Sequence, residues 1–166
     1  MPPGSSAPSA DVGTSRCPRG VYRIDRLNPQ SRFHLSLGLD YPNRADRLRS
    51  RGADPGDDIF IHGKCVSIGC LAIGNEGIEL LYLAVADTRA RYGSEVPVLM
   101  LPRRMDPEGL SALREASKED TGLRALWESL AAVDAAFEVA HRVPRTRIAG
   151  HSGLYVLERE APRDGR

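Results

Sequence analysis

The amino-acid sequence predicts a single mixed α+β domain, with its strands early in the chain and its helices late. Two patterns carry this prediction. Short segments with alternating apolar residues lie in the first half of the chain, and long segments with helical periodicity dominate the second half. A length of 166 residues suits one domain with a hydrophobic core, and 41% hydrophobic residues is ordinary for a globular protein.

Each predicted strand is a short run bounded by turn residues. Residues 33–39 are the clearest case, because Phe33 and every second residue after it are apolar. His34 falls on the polar face of this strand and is expected to be solvated. A charged loop at 47–58 follows. The predicted strands are residues 21–27, 33–39, 59–61 and 96–101, with two short strand-like pieces around 150–153.

Three helices are predicted from the spacing of apolar residues. The first begins at Asn75, a residue type that favours the N-cap position, and its apolar residues recur along one face. The second covers residues 107–118, with Pro107 in its first turn, and the third covers 121–141. Trp127 lies in the apolar stripe of the third helix and is therefore expected in the core.

The two ends of the chain differ from the middle in composition. Residues 1–19 are rich in Pro, Ser, Ala and Gly and are predicted to be a disordered leader, whereas 159–166 form a charged tail. The folded domain is predicted to span 20–158. The leader lacks the pattern of a signal peptide, and no apolar run approaches the roughly 20 residues of a membrane span. The net charge of +1 does not indicate a nucleic-acid partner.

Reactive residues lie between the third predicted strand and the first helix. His62 ends the strand, and Cys70 follows eight residues later, shortly before the helix. A nearby imidazole helps to generate a reactive thiolate, and a helix N-terminus favours its negative charge. Gly69 lets consecutive backbone N–H groups face a developing oxyanion. Ser67 can hydrogen-bond the histidine or a substrate carbonyl.

The residues alone leave three other interpretations open. Cys70 can be a small buried hydrophobic residue, with His62 as a structural residue at a strand end. His62, Cys65 and Cys70, with His151 as a fourth ligand, form a candidate metal site, although the spacing matches no common zinc pattern. A disulfide between Cys65 and Cys70 is the third interpretation, and Cys17 makes the number of cysteines odd.

Longer motifs in the chain resemble the L,D-transpeptidase (YkuD) family. The string SIGCLAIGNEGIELLY, preceded by IHG, is similar to the catalytic segment of the branch whose cysteine motif reads S-x-G-C-x-A. Residues 20–46, which contain FHLSLGLDYPN, resemble the family's segment before the catalytic one. LPRRMDPEGL and the tryptophan helix resemble the family's segment after it. The resemblance covers about residues 13–157.

The resemblance implies a YkuD-like β-sandwich or sheet catalytic domain with flanking helices, and an enzyme that uses no metal or organic cofactor. Cys70 is then the nucleophile and His62 the general base, with Ser67 and Gly69 in the active-site wall. The implied substrate is a peptidoglycan stem peptide that acylates Cys70 as a thioester, and the implied location is the periplasm or cell envelope. Since His62 is expected to face a cleft, we expect its replacement by Ala to leave the fold intact.

Two departures from the family pattern modify these expectations. The commoner motif has a histidine at the position of Ile68, and an arginine soon after the cysteine, where Leu71 and Ala72 stand here. Apolar neighbours shield a thioester but do not orient an amine, which favours hydrolysis over transpeptidation. The leader occupies the place of the strands that open family domains, so these strands are expected either to be absent or to be lost through a misplaced start codon. A non-catalytic peptidoglycan-binding remnant is therefore the alternative function.

Overall fold

The computed structural model describes residues 18–65 and 70–158. Within them the chain forms seven strands and four helices, which confirms the predicted mixed class. The strands are β1 (Gly20–Asn28), β2 (Ser36–Leu39), β3 (Phe60–His62), β4 (Leu71–Ala72), β5 (Val96–Met100), β6 (Thr146–Ile148) and β7 (Tyr155–Leu157). The helices are α1 (Arg44–Arg49), α2 (Gly74–Tyr92), α3 (Pro107–Ala116) and α4 (Thr121–Ala140).

Five of the strands form one sheet, in the order β4-β3-β2-β1-β5. Neighbouring strands run antiparallel except β3 and β4, which are parallel and pair Ile61 with Leu71 and His62 with Ala72. β6 and β7 form a separate antiparallel pair. The parallel pair brings the end of β3 beside the segment that leads into α2, so this edge of the sheet carries the predicted reactive residues.

Two hydrophobic clusters pack against the sheet. Alternation along β1 sends Tyr22 and Ile24 to the cluster that includes α2, and Val21 to the cluster that includes α3, α4 and β7. The first cluster buries Tyr22, Ile24, Leu37, Leu39, Ile59, Ile61, Ile78, Val85 and Met100. The second buries Ala45, Leu113, Leu126, Trp127, Leu130, Val133 and Tyr155. Each fully buried Leu or Ile contributes about 1.5–3 kcal/mol, so both clusters stabilise the sheet.

The segment 33–39 is a strand only from Ser36, so the predicted start of this strand is wrong. His34 has a φ of 79°, in the left-handed region that an extended strand excludes. Its Nε2 lies 2.5 Å from Oε1 of Glu79 on α2. His34, which was expected on the solvated face of a strand, is therefore a turn residue. Its side chain connects the loop before β2 to α2.

The predicted loop at 47–58 begins with a helix, because α1 extends to Arg49. Asn43 is its N-cap: its Oδ1 accepts hydrogen bonds from the N–H groups of Ala45 and Asp46. In return, the carboxylate of Asp46 accepts from the N–H of Asn43. This reciprocal pair is a capping box, which satisfies N–H groups that a short helix would otherwise leave open.

The predicted N-cap of the next helix is also wrong. α2 begins at Gly74, and its N-cap Ile73 makes no side-chain hydrogen bond. The side chain of Asn75 points elsewhere, and its Oδ1 accepts a hydrogen bond of 2.9 Å from the N–H of Lys64. The side-chain amide of Asn75, which was predicted to cap α2, therefore stabilises the turn that follows β3.

The later elements agree with the sequence prediction. β5, α3 and α4 start at the predicted residues and end within two residues of the predicted ends, and Pro107 is the first residue of α3. Trp127 is fully buried, as expected. The predicted leader and tail fall mainly on residues 1–17 and 159–166, outside the described residues, whereas Pro18 is already buried. In the described part of the chain, no helix combines the length and apolar character needed to cross a membrane.

Candidate active site

His62 is the last residue of β3 and has a buried side chain. Only 2% of its surface is exposed, and its neighbours in the sheet register are Ser36 of β2 and Ala72 of β4. The expectation that this side chain faces an open cleft is therefore wrong. Since the imidazole is enclosed by other groups, replacement by alanine leaves a cavity and costs stability.

The imidazole of His62 has a defined hydrogen bond to the main chain. Its Nδ1 lies 2.6 Å from the carbonyl oxygen of Gly63. A carbonyl oxygen only accepts hydrogen bonds, so Nδ1 carries the hydrogen and donates it. In the neutral ring the lone pair then resides on Nε2, which is the nitrogen that can accept a proton.

The turn after β3 is fixed from both sides. The N–H of Gly63 donates to the carbonyl of Leu35 (3.1 Å), and the N–H of Lys64 donates to Oδ1 of Asn75 (2.9 Å). A Cβ on Gly63 would lie 2.7 Å from the carbonyl oxygen of Phe33 and 2.8 Å from Oδ1 of Asn75. Only glycine fits here without displacement, so the carbonyl that orients the imidazole has a fixed position.

Phe33 covers the imidazole of His62. The two ring centroids are 4.6 Å apart, and the planes are inclined by 36°. Nζ of Lys64 lies 5.9 Å from the Phe33 ring centre and donates a hydrogen bond to the carbonyl of Arg32 (2.7 Å). Phe33 is nevertheless 42% exposed. Its ring therefore lies between the buried histidine and solvent.

Cys70 directly precedes β4 and is partly exposed. Because Leu71 pairs with Ile61 and Ala72 with His62, Cys70 is the diagonal neighbour of His62 across the parallel pair. Adjacent strands lie about 4.7–4.9 Å apart, and two residues along a strand cover about 7 Å, so Cys70 lies close to the end of β3. The register is therefore compatible with a contact between the thiol and the imidazole.

β4, which periodicity does not predict, connects Cys70 to α2. After it, the N–H of Ile73 donates to the carbonyl of His62 (3.0 Å), and the N–H of Gly74 donates to the carbonyl of Lys64 (3.2 Å). The start of α2 is thus bound to the end of β3. This arrangement fixes the segment that holds the cysteine relative to the turn that holds the histidine.

Two of the alternative interpretations, the disulfide and the metal site, gain no support from the described residues. Cys65 and Cys70 are not joined by a disulfide. Within the described residues no three metal-ligating side chains form a group that could hold an ion. His151, the proposed fourth ligand, lines a separate cavity of about 750 Å³ together with Arg49 and Asp46.

The sequence patterns assign no role near the imidazole to Gly63, Phe33 or Asn75. One feature of the sequence could have indicated the role of Gly63, namely that a glycine directly follows the strand-end histidine. Phe33 and Asn75 act through contacts between segments that are distant along the chain, which periodicity does not reveal. Ser67 and Gly69 were predicted but lie outside the described residues, so their roles stay predictions.

The five-stranded sheet and flanking helices of the described residues are consistent with a YkuD-like sheet domain. No protein-family model matches the chain. The proteins named "Putative L,D-transpeptidase YafK" in Escherichia coli strain K12 and in Escherichia coli O157:H7 are each 29% identical to it over 158 residues. These residues are 94% of this chain and 60% of each relative, so the chain spans well under the full length of the curated relatives it matches. The similarity supports the assignment of the chain to the YafK-like L,D-transpeptidase family.

Proposed function

We propose that this protein is a cysteine acyltransferase or amidohydrolase that acts on peptidoglycan stem peptides in the cell envelope. The similarity to relatives named as L,D-transpeptidases supports a function related to peptidoglycan. In this proposal Cys70 is the nucleophile and His62 is the general base. Ser67 and Gly69 belong to the active-site wall.

The observation that carries the proposal is the hydrogen bond from Nδ1 of His62 to the carbonyl of Gly63. A base that activates a thiol must be oriented by a third group, so that its other nitrogen stays directed at the nucleophile. Here the third group is a backbone carbonyl in a turn that admits only glycine. The diagonal register of Cys70 and His62 also supports the pairing.

The first half-reaction forms a thioester. Nε2 of His62 takes the thiol proton of Cys70 as the sulfur attacks the carbonyl carbon of a diamino-acid residue in the stem. The carbon–nitrogen bond to the next residue or to an attached amine then breaks. The imidazolium returns its proton to the leaving nitrogen, so the charges balance and the acyl group remains on sulfur.

The second half-reaction releases the acyl group. An incoming amine or a water molecule attacks the thioester carbonyl, and His62 accepts its proton. The carbon–sulfur bond breaks, and the thiolate of Cys70 recovers a proton from the imidazolium. An amine acceptor gives a new peptide bond, whereas water gives a free carboxylate. Both outcomes use the same two side chains.

Labelling with a carbapenem tests the assignment of the nucleophile. A thiolate opens the β-lactam ring and adds the whole mass of the drug to the protein, which intact mass spectrometry measures. We expect the label on the unchanged protein and on Cys65→Ala, but not on Cys70→Ala. Cys65 is the matched control because it lies in the same segment and is more exposed. A label that persists in Cys70→Ala contradicts the assignment.

A second experiment separates the two reaction types. The purified protein is incubated with a tetrapeptide muropeptide and excess D-methionine, and the products are identified by mass. Ile68, Leu71 and Ala72 stand where the commoner motif has a histidine and an arginine, so we expect the tripeptide to predominate. Abundant exchange of D-methionine establishes transpeptidation instead. Absence of both products, with Cys70 still labelled by a carbapenem, contradicts the proposed substrate.

A further inference from the structure

We propose that Phe33 is a positioning residue for the general base, which keeps the imidazole of His62 in the orientation where Nδ1 donates to Gly63. This inference rests on the proposed function, because it assigns to Phe33 a role in the reaction of Cys70. Phe33 acts through the ring on which it packs.

The exposure of Phe33 argues against an ordinary structural role. It is 42% exposed, and it belongs to neither hydrophobic cluster. A phenylalanine that only filled the core would be buried, since burial is the source of its stabilisation. Instead its ring packs on one buried polar side chain, with a centroid separation of 4.6 Å.

The loop that carries Phe33 is fixed on both sides of the aromatic ring. His34 hydrogen-bonds Glu79 of α2, and the carbonyl of Arg32 accepts a hydrogen bond from Nζ of Lys64. The carbonyl of Leu35 accepts from the N–H of Gly63. Arg32 and His34, on either side of Phe33, are thus hydrogen-bonded to the segments that flank the imidazole. The same holds for Leu35.

The ring contact has a specific mechanical consequence. An imidazole on a strand end rotates about its Cβ–Cγ bond, and half a turn would place Cδ2 where Nδ1 lies, so that Nδ1 would lose its hydrogen bond to Gly63. The hydrogen bond to Gly63 opposes this rotation from one side, and the face of Phe33 restricts the space for it from the other. A small error in the position of a catalytic group costs about 10²-fold in rate.

The test compares Phe33→Ala with Phe33→Tyr, which restores the aromatic ring, and with Tyr92→Ala, which removes a 75% exposed aromatic residue at the end of α2. We expect Phe33→Ala to slow the acylation of Cys70 by a carbapenem about 10- to 100-fold, with little change in affinity for the drug. Phe33→Tyr and Tyr92→Ala should acylate at the rate of the unchanged protein. The midpoint of thermal unfolding should be similar for all four.

Nitrogen NMR of the His62 ring supplies a readout that does not depend on activity. In the unchanged protein the nitrogens of the neutral ring should report the Nδ1–H tautomer, and Phe33→Ala should add the Nε2–H form. An unchanged acylation rate, an unchanged tautomer, or a slower rate that Phe33→Tyr does not restore would each overturn the inference. If the unchanged protein takes no label, the proposed function fails, and the tautomer measurement alone still decides whether Phe33 orients His62.

Discussion

Gly63 connects the backbone to the proposed chemistry of His62. Its carbonyl accepts the hydrogen bond from Nδ1, and its Cα hydrogen occupies a space that a methyl group cannot enter. The nearest obstacles are a backbone oxygen at 2.7 Å and the amide oxygen of Asn75 at 2.8 Å, and the first of these cannot rotate away. Glycine is therefore required at this position because there is no room for a Cβ atom, and not because of a positive φ angle.

Replacement of Gly63 by alanine should destabilise the fold and disturb the imidazole together. We expect the free energy of unfolding to fall by about 1–3 kcal/mol, because the new methyl group overpacks a closed turn. Carbapenem labelling of Cys70 should slow in the same variant. Urea denaturation and intact mass spectrometry measure the two effects.

Gly77 provides the matched control in α2. The atoms nearest to a Cβ there belong to Ile73, at an ordinary contact distance of 3.5 Å. Within a helix, alanine is more favourable than glycine by about 1 kcal/mol, so Gly77→Ala should stabilise the protein and leave labelling unchanged. Equal destabilisation by both substitutions would contradict the account of Gly63.

The sequence predicts catalytic roles for His62 and Cys70, which stay predictions, but it does not predict the shape of their surroundings. A strand that ends in histidine and is followed by S-x-G-C is a local pattern, which is visible in the sequence alone. The surroundings of His62 include Phe33 and the turn after β3, which come from two separate segments, and that turn is held by Asn75 of a third segment. Consequently, His62→Ala is now expected to lower stability as well as activity.

Among the elements, α1 depends most on its cap because it contains only six residues. Asn43 accepts from two N–H groups of α1, and its Nδ2 also donates to the carbonyl of Val21 on β1 (3.1 Å). Within α1, burial raises the pKa of Asp46, and Arg49 opposes this effect through its positive charge. Tyr22 donates a hydrogen bond of 2.9 Å to the same carboxylate. The cap therefore joins a short helix to the central sheet.

Replacement of Asn43 by alanine should lower the free energy of unfolding by about 1–2 kcal/mol, because both the cap and the link to β1 are lost. Asn43→Ser keeps an oxygen that can cap α1 but cannot reach as far as the amide. Its loss of stability should therefore be smaller. Chemical denaturation measures both variants, and equal losses would show that the cap is not the main contribution.

α3 and α4 are joined at the surface by an ion pair with two hydrogen bonds. Nε and Nη2 of Arg114 donate to the two carboxylate oxygens of Glu128 at 2.6 and 2.9 Å. The hydrogen bond from Arg114 holds the pKa of Glu128 below its ordinary value. A carboxylate with a lowered pKa in the folded state stabilises the protein above its unfolded pKa, and this contribution is lost as pH falls through the folded value.

Glu128→Gln should therefore lower the unfolding temperature at neutral pH, and the difference from the unchanged protein should shrink between about pH 5 and pH 2. Both side chains are about half exposed, so added salt should reduce the difference as well. Glu115→Gln, which removes a more exposed pair with Lys118, serves as the control and should have little effect. A difference that grows on acidification would contradict the assignment of this pair.

Elements with a strong local pattern were predictable, and those that depend on a partner were not. α4 carries its own apolar stripe and N-cap, so its limits follow from the chain alone. β4 has only two residues and exists because Leu71 and Ala72 pair with β3. Residues 33–35 continue an alternating pattern but form a turn, because His34 and Phe33 are held by Glu79 and His62.

The molecule as a whole is organised around β1. This strand has hydrogen-bonded neighbours on both edges, β2 and β5, and its side chains enter both hydrophobic clusters. The candidate active site lies at the opposite end of the sheet, where β4 is an edge strand of two residues. The candidate site and the strand that enters both clusters thus lie apart in one sheet, as is common when a rigid scaffold carries a functional loop.

This arrangement predicts a gradient of local stability across the sheet. Amide hydrogens of β1 should exchange with solvent most slowly, since their release requires global unfolding, whereas those at β4 and the residues around Cys70 should exchange through local opening. Mass-spectrometric hydrogen exchange at several urea concentrations measures this difference. Exchange in β1 should accelerate in parallel with global unfolding, and exchange near Cys70 should depend little on urea.

Leu113→Ala, which removes a buried side chain of the second cluster, should speed exchange in β1 but not near Cys70. Equal protection of β1 and β4 would show instead that the sheet opens as one unit and that the candidate site is as rigid as the core.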